Sequence, residues 1–249
     1  EVISTVGAGD AFNGGFIELY IDLAEQTGRS RWIDLAQAQA ERWISNRFFK
    51  RYGLFRRVEF AAPGWISDFI GRLASEPLVR LMKDNSNLVA GLIALYRVHP
   101  GKDLKLAILH WLSGLRHWLI VDGDTVMMNL SREFVAYQPD LRAATAAIET
   151  LLDVYQYVER DAEWIELAQK IAERWLMARW DNGLLPLEIG GDSDHIDANL
   201  DFAIALVNLS EATGQNRWTV IGEQIIAQLV NLHELPYGYA FSINEAGKV

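Results

Sequence analysis

A twelve-residue stretch occurs twice in this chain and decides the fold. Residues 32–43 read WIDLAQAQAERW and residues 164–175 read WIELAQKIAERW, so nine of the twelve positions are identical at an offset of 132. In both copies Trp, Leu and Ala recur at steps of three, four and seven residues, while Gln, Glu and Arg occupy the other side. This periodicity is typical of a helix that buries one face. The repetition predicts a helical-repeat protein.

A second match extends the repeat across a tight turn. Residues 13–32 and 199–218 share eight of twenty residues, including Thr-Gly pairs at equivalent positions. Because glycine is suited to the left-handed end of a helix, each pair predicts the turn of a helical hairpin. We predict four hairpins, and the helices of the first two lie at about 11–26, 30–47, 86–98 and 103–119. The four turns are centred on Thr27-Gly28, Pro100-Gly101, Arg160-Asp161 and Thr213-Gly214.

A glycine and a strand-like alternation follow each hairpin. Alternation of apolar and polar residues with a period of two predicts short strands or extended loops. The four segments are residues 53–60, 123–130, 183–189 and 238–244. Pro186 would keep the third segment at a sheet edge, because proline cannot donate a backbone hydrogen bond. One additional helix is predicted within residues 64–83.

Units made of a hairpin and a long loop cannot bury their apolar faces alone, so they stack on one another. We therefore predict an all-α fold in which repeated helical hairpins form an (α/α) toroid or part of one, with short strands in the long loops. The alternative is an open solenoid. Residues 1–249 are expected to form a single helical-hairpin repeat domain.

The two ends of the predicted array are apolar and carry no polar cap. Phe16, Ile17, Ile225 and Leu229 are therefore expected at open edges, unless the ends meet or are covered by other residues. The chain also begins at Glu1 rather than Met, inside what resembles a repeat. We expect a missing N-terminal region of one or two hairpins, as part of a longer toroid, or a homo-oligomer.

The composition limits the classes of partner. The formal net charge is −10, there is no basic run, and the isoelectric point is about 5.0. Nucleic acid and anionic membrane are therefore not expected as partners. The chain has no cysteine, which excludes disulfides and thiolate sites, and no apolar run is long enough for a membrane span. A soluble protein is expected, its location left open with the cytoplasm slightly favoured.

The richest group of polar residues precedes the fourth hairpin, on a long loop that leads into a helix. Glycoside hydrolysis requires two carboxyl groups, one as a raised-pKa acid and one as base or nucleophile. A neighbouring histidine can serve as acid or base in a lyase or epimerase. The alternative is a solvated loop whose carboxylates cap the following helix. The catalytic candidates are Asp192, Asp194, His195, Glu188 and Glu59.

Further charged and aromatic residues occupy the other long loops. If the toroid closes, these loops would converge on one rim and assemble a binding site from distant parts of the sequence. The alternative is that most of them are solvated. The substrate-binding candidates are Arg56, Arg132, Glu133, Trp180 and Asp181. No cofactor is predicted, and no metal site is predicted, because the short Asp-X-Asp-His cluster lacks a second set of ligands.

Long loops on one side of the hairpins and short turns on the other resemble the (α/α)-toroid carbohydrate-active enzymes over nearly the whole chain. The resemblance is one of architecture, and no family-specific catalytic motif comes with it. It implies a carbohydrate-active enzyme, foremost a glycoside hydrolase, that acts on a sugar or oligosaccharide in a cleft on the long-loop rim. The alternative is a helical-repeat binding or scaffold protein without catalysis.

Residues 4–16 closely resemble the signature of the ribokinase-like sugar kinases. In that family the Gly-Ala-Gly amides form an anion hole at a helix start and the Asp is the base, which implies Gly7, Ala8, Gly9 and Asp10 here. A sugar kinase is therefore a second alternative function. We interpret the match as coincidental, because it covers thirteen residues and is followed by helical repeats rather than by the family's α/β domain.

Overall fold

A computed structural model describes residues 11–56 and 77–248, with the side chains of residues 11–14 left out. Contacts between Cα atoms divide the chain into two compact units. The first unit contains Glu1–Leu119 and Asn129–Tyr137, and the second contains Ile120–Met128 and Gln138–Val249. That residues 1–249 form a single domain remains a prediction.

The first unit is built from two helical hairpins. Helix α1 (Ala11–Thr27) packs on α2 (Arg31–Ile44) and α4 (Asn87–Val98), and α4 packs on α5 (Lys102–Trp118). A π-helical turn, Leu81–Ser86, precedes Asn87, and the strand Val79–Arg80 pairs in antiparallel register with Asn129 and Leu130. The helices are α1 Ala11–Thr27, α2 Arg31–Ile44, α3 Arg47–Tyr52, α4 Asn87–Val98 and α5 Lys102–Trp118, and β1 is Val79–Arg80.

The second unit contains the other two hairpins. Helix α6 (Leu141–Asp153) packs on α7 (Ala162–Leu176) and α8 (Ile196–Thr213), and α8 packs on α9 (Arg217–His233). The π-helical turn Val154–Val158 follows α6, and β2 pairs with the start of β3 in antiparallel register. The elements are β2 Ile120–Val121, β3 Thr125–Leu130, β4 Ala136–Pro139, α6 Leu141–Asp153, α7 Ala162–Leu176, α8 Ile196–Thr213, α9 Arg217–His233, β5 Glu234–Leu235 and β6 Gly238–Tyr239. Strands β3 and β4 have residues in both units.

All four predicted hairpins are confirmed. Gly28 and Gly214 end α1 and α8 with positive φ angles of 63° and 68°, as the Thr-Gly pairs predicted. The predicted helix 30–47 was too long, because α2 ends at Ile44 and Asn46 begins a new helix. The Asn46 side chain accepts a hydrogen bond from the Phe48 backbone N–H at 2.8 Å, which caps α3.

Two of the four predicted strand segments do not form strands where the structure describes them. Residues 183–189 form a loop because the Asn199 side chain bonds both the N–H and the C=O of Leu185, at 2.9 and 2.8 Å. The Asn85 side chain does the same for Phe55, at 2.8 and 3.0 Å. Backbone groups that a strand would pair are therefore satisfied by an asparagine at the start of a helix. Both asparagines are buried.

The other two predicted segments form strands in part, as β3 and β6. The described end of the predicted additional helix, residues 77–83, contains strand β1 and the start of a π-helical turn instead. The rest of that prediction, and residues 57–60 of the first strand segment, lie outside the described residues.

The predicted open edges are exposed only in part. Ile17, Ile225 and Leu229 are buried, whereas Phe16 is 37% exposed. Helix α1 buries Ile17 because it packs on two helices of its unit, and α9 buries Ile225 and Leu229. Three of the four residues expected at an edge are therefore core residues of their own unit.

The described helices predominate over short strands, and the fold is all-α. Strand pairs β1–β3, β2–β3 and β5–β6 are antiparallel. A ribokinase-like kinase would require an α/β domain, so this fold contradicts the sugar-kinase alternative. Within the described part of the chain, no helix has both the length and the apolar character that a membrane span requires.

Replacing Gly114 with alanine is expected to destabilise the first unit by about 1–3 kcal/mol, the usual range for overpacking. A Cβ atom at Gly114 would lie 2.6 Å from the Tyr52 carbonyl oxygen and 2.8 Å from the Gly53 carbonyl carbon. Backbone atoms cannot move aside as a flexible side chain can. Urea denaturation measures the change, with Gly15→Ala as the control because a Cβ at Gly15 meets no atom within 4 Å. Equal stability of the two variants would contradict this packing.

Candidate functional site

The candidate site lies in the second unit, where helices α6 and α8 begin. One loop segment, residues 184–188, is bonded to both helix starts. The Leu141 N–H at the start of α6 donates to the Leu187 carbonyl at 2.9 Å, and the Asn199 side chain in the first turn of α8 holds Leu185. The two helix starts and the loop between them are therefore fixed together.

Two acidic residues are paired through their backbones on the α6 side of this segment. Asp140 and Glu188 form an isolated antiparallel bridge, which places their backbones side by side. The Gln138 side chain donates to Glu188 Oε1 at 2.9 Å and so orients that carboxylate. Gln138 has a φ angle of 66°, a left-handed conformation that is uncommon for residues other than glycine. Such backbone strain is often found at functional sites.

Asp140 is a buried carboxyl group that caps helix α6. Its Oδ1 accepts a hydrogen bond from the Arg142 backbone N–H at 2.9 Å, and the Arg142 Nε lies 3.5 Å from the same oxygen. Burial raises the pKa of Asp140 above its ordinary value, and the neighbouring Glu188 carboxylate raises it further. Arg142 opposes this shift through its charge and its hydrogen bonds. The pair thus combines a carboxyl group whose pKa is raised by burial with a second carboxyl group beside it in the backbone bridge.

His195 and Asp197 lie at the start of α8. His195 is the N-cap residue, and its Nδ1 lies 3.9 Å from Asp197 Oδ1. Both atoms are buried and neither has a hydrogen-bond partner. The His195 ring packs against Phe241 at a centroid distance of 4.6 Å. A polar atom that is buried without a partner is a candidate for contacting a ligand or ordered water.

Asp194 is fully buried and belongs to a different network. Its Oδ2 is hydrogen-bonded to His233 Nε2 at 2.8 Å, and its Oδ1 accepts from the Ile243 N–H at 2.8 Å. His233 is also fully buried, and its Nδ1 donates to the Ala240 carbonyl at 2.8 Å. His233 Nδ1 must carry a proton in order to donate to the Ala240 carbonyl. The hydrogen bond between His233 Nε2 and Asp194 Oδ2 therefore contains one further proton. This network fixes the C-terminal loop to the start of α8.

The other candidates are dispersed. Asp192 is exposed on the loop before α8. Trp180 and Asp181 line a cavity of about 520 Å³, together with polar side chains from the same loop and from α9. Three further candidates belong to the first unit, and they are Arg56, Arg132 and Glu133. Glu59 lies outside the described residues.

The sequence patterns missed Asp140, Gln138, Arg142 and His233. One signal could have identified Asp140, because it occupies the N-cap of α6 just as His195 occupies the N-cap of α8. No local pattern marks Gln138 or His233, whose roles depend on contacts 50 and 39 residues away in the sequence. Within residues 11–56 and 77–248, no group of three or more His, Asp or Glu side chains is arranged to hold a metal ion.

A series of acidic side chains continues along α6 and α8. Burial raises the pKa of Glu149 to about 7, and the charges of Asp201 and Asp153 contribute to this shift. Burial also raises the pKa of Asp201, with a further contribution from Asp197. Glu149 and Asp153 line a cavity of about 700 Å³ with Tyr155, Tyr157, Arg160 and side chains of α8.

The raised pKa of Glu149 predicts a pH-dependent stability. The folded protein binds this proton more tightly than the unfolded chain, so stability should fall as the pH rises from about 4.5 to about 7. Glu149→Gln removes the ionisation and should raise the melting temperature at pH 8 while having little effect at pH 4.5. Asp201→Asn should act in the same direction through Glu149. Thermal unfolding at both pH values measures this, and an equal change at the two values would contradict the assignment.

Comparison with solved structures shows the fold. The cellobiose 2-epimerase from Bacillus thermoamylovorans B4167 superposes with a TM-score of 0.73 at 12% identity, over 97% of this chain and 64% of that one. The unsaturated glucuronyl hydrolase from Bacillus sp. GL1 gives 0.65 at 12% identity, over 97% and 72% of the two chains. The GH76 α-mannanase from Bacteroides thetaiotaomicron gives 0.64 at 12% identity, over 94% and 64%.

The chain has the (α/α)-toroid fold. It spans about 64% of the length of the two epimerase structures it matches at TM-scores of 0.73 and 0.67. The predicted resemblance to the (α/α)-toroid carbohydrate-active enzymes is therefore confirmed at the level of architecture. Comparison of the sequence with protein-family models and with curated proteins finds no match.

Proposed function

We propose that this toroid chain is part of a carbohydrate-active enzyme and that its reaction is glycoside hydrolysis. The observation that carries the proposal is the Asp140–Glu188 pair, in which a buried carboxyl group with a raised pKa lies beside a second, oriented one. Glycosidases use two carboxyl groups, one as the acid and the other as the base or nucleophile. An α-mannanase and a glucuronyl hydrolase among the structural neighbours support this choice.

Each member of the pair has a defined role in this proposal. Asp140 Oδ1 is engaged by the helix start, so its other oxygen would carry the proton given to the leaving group. Glu188, oriented by Gln138, would act as the base or nucleophile. Asp194 is a positioning residue, because both of its oxygens are engaged by groups of the C-terminal loop and α9.

The other candidates are proposed to bind the sugar. His195 and Asp197 have polar atoms without partners at the start of α8 and would bond sugar hydroxyl groups. Trp180 and Asp181 would contact the substrate through the cavity that they line. Five further candidates remain predicted site residues of the long-loop rim, and they are Asp192, Glu59, Arg56, Arg132 and Glu133.

Sugar epimerisation is the second candidate function. The partnerless Nδ1 of His195 favours it, because a histidine near a carboxylate can remove and return a proton next to a sugar carbonyl. Two structural neighbours are a cellobiose 2-epimerase and a sugar epimerase from a ruminal bacterium. In this reaction His195 would be the catalytic residue, and Asp140 and Glu188 would bind hydroxyl groups.

An NMR assay separates these functions. The purified protein is incubated with manno-oligosaccharides, cello-oligosaccharides and unsaturated glucuronyl disaccharides, and the anomeric signals are followed with time. Hydrolysis is expected to produce new reducing ends. A change of configuration at C2 without cleavage would support the epimerase, and binding without any turnover would support the scaffold alternative. Either of these two results contradicts the hydrolase proposal.

A further inference from the structure

The C-terminal loop of the second unit carries three aromatic side chains that face solvent. Strands β5 and β6 form a hairpin whose two-residue turn is Pro236-Tyr237. Tyr237 at its tip is fully exposed, Tyr239 is 56% exposed and Phe241 is 58% exposed. Ala240 between the last two is buried, whereas the side chains of Tyr239 and Phe241 on either side of it face solvent.

The backbone beneath these rings is held firmly. Both polar backbone groups of Ala240 are bonded to His233, through its carbonyl and its Nδ1, each at 2.8 Å. The Phe241 carbonyl accepts from the Ile196 N–H at 3.0 Å, and Asp194 exchanges two hydrogen bonds with the Ile243 backbone. Exposed rings on a fixed backbone lose little conformational freedom on binding, which favours a recognition surface over an accidental patch.

The aromatic surface is continuous with the candidate site. The Phe241 ring lies 4.6 Å from the His195 ring, and Phe241 is bonded to the first residue of α8. Tyr239 and Phe241 are two residues apart in the chain, a step of at most roughly 6.5–7 Å, which is comparable with the size of one sugar ring. The apolar face of a pyranose can stack on such rings, while the tyrosine hydroxyl groups remain available to sugar hydroxyls.

The charge of the loop defines the class of ligand. Residues 234–243 contain no lysine or arginine, and their one charged side chain is Glu234. An anionic polysaccharide would need cationic partners along this path, and the loop itself supplies none. A neutral sugar needs only stacking and hydrogen bonds.

We propose that Tyr237, Tyr239 and Phe241 form an aromatic ladder that binds successive rings of a neutral oligosaccharide whose end reaches His195. This inference rests on the proposed carbohydrate function and adds to it a binding path and a substrate class. Phe241 contacts the ring nearest the reaction, and Tyr239 and Tyr237 contact more distant rings. A longer neutral oligosaccharide should therefore bind more tightly than its monosaccharide.

Calorimetric titration tests the ladder with mannotetraose, cellotetraose, mannose, glucose and an unsaturated glucuronyl disaccharide as probes. Tyr239→Ala is expected to weaken binding of a tetrasaccharide by about 2- to 10-fold, the range for one aromatic contact. Its affinity for the monosaccharide should be unchanged. Tyr239→Phe keeps the ring and should retain most of the affinity. Leu235→Ala is the matched control, since it removes an exposed apolar side chain without a ring from the same hairpin.

The binding and cleavage measurements distinguish a failure of the aromatic ladder from a failure of the hydrolase proposal. If the tetrasaccharide binds without being cleaved, and Tyr239→Ala weakens this binding, the aromatic ladder is supported and the hydrolase proposal is refuted. Cleavage with an unchanged tetrasaccharide KM in Tyr239→Ala would refute the ladder alone. Preference for the uronic acid, failure of every neutral probe to bind, or a dimer that dissociates in Tyr239→Ala would each overturn the ladder. Melting temperatures within error of wild type confirm that the exposed substitutions leave the fold intact.

Discussion

Glu188→Gln is expected to lower the rate of glycoside hydrolysis by about 10²- to 10⁴-fold, the contribution of a positioned acid or base. The amide has nearly the same shape as the carboxylate and keeps an oxygen that can accept from Gln138, so the loop should remain folded. What the variant loses is the negative charge that activates water or attacks the sugar. The loss should therefore appear in kcat, with KM changed little. Initial rates on the best substrate of the panel measure it.

A matched pair of variants makes this prediction specific. Glu166→Gln changes an exposed glutamate on α7 and should leave the rate unchanged. Asp140→Asn should remove the acid and leave a much weaker residual activity. The wild-type rate should fall as the pH rises through the raised pKa of Asp140, and this fall should be absent from the variant. Wild-type kcat in Glu188→Gln would exclude the Asp140–Glu188 pair as the catalytic centre.

Asp194→Ala is expected to destabilise the second unit by about 2–6 kcal/mol, because each of the two buried groups that it leaves without a hydrogen-bond partner costs about 1–3 kcal/mol. The substitution leaves His233 Nε2 and the Ile243 N–H without partners in a fully buried position. His233→Ala should have a similar effect, because it frees the same carboxylate and the Ala240 carbonyl and also opens a cavity. Urea denaturation followed by tryptophan fluorescence measures both variants.

Asp194→Asn is the informative control. Its amide oxygen can accept from the Ile243 N–H, and its NH₂ group can donate to His233 Nε2, which is free to accept when Nδ1 carries the proton. The hydrogen bonds from the Ile243 N–H to residue 194, between residue 194 and His233 Nε2, and from His233 Nδ1 to the Ala240 carbonyl are then all kept without the shared proton. The stability should therefore stay within about 1 kcal/mol of wild type. A loss as large as that of Asp194→Ala would show that the charge, rather than the hydrogen-bond pattern, holds the loop.

The helical part of the fold could be predicted because its causes are local. The repeated Trp-Ile-x-Leu-Ala pattern and the Thr-Gly turns determine helix faces and ends within a few residues. The loops could not be predicted in this way. Asn85 and Asn199 replace strand pairing with side-chain bonds to residues 30 and 14 positions earlier, and nothing in the alternating pattern distinguishes the two solutions.

The candidate site was predictable only on the α8 side. The acidic loop identified Glu188, Asp194 and His195, because carboxylates and a histidine were concentrated there. Composition could not separate a buried structural carboxylate from a candidate catalytic one. Asp194 became structural through His233, and Glu188 acquired a partner through Asp140, and both partners lie on other elements. Burial and pairing, rather than residue type, separate these roles.

The most direct test of the account is a crystal structure of the Glu188→Gln variant with a bound neutral oligosaccharide. If Asp140 and Glu188 are the catalytic pair, a glycosidic oxygen is expected between the side chains of residues 140 and 188, with their carboxyl and amide carbons about 5–9.5 Å apart, the range found in glycosidases. Sugar rings are also expected to stack on Phe241 and Tyr239. A sugar bound away from residues 140 and 188, with its reactive carbon facing His195 instead, would contradict the assignment of Asp140 and Glu188 as the catalytic pair.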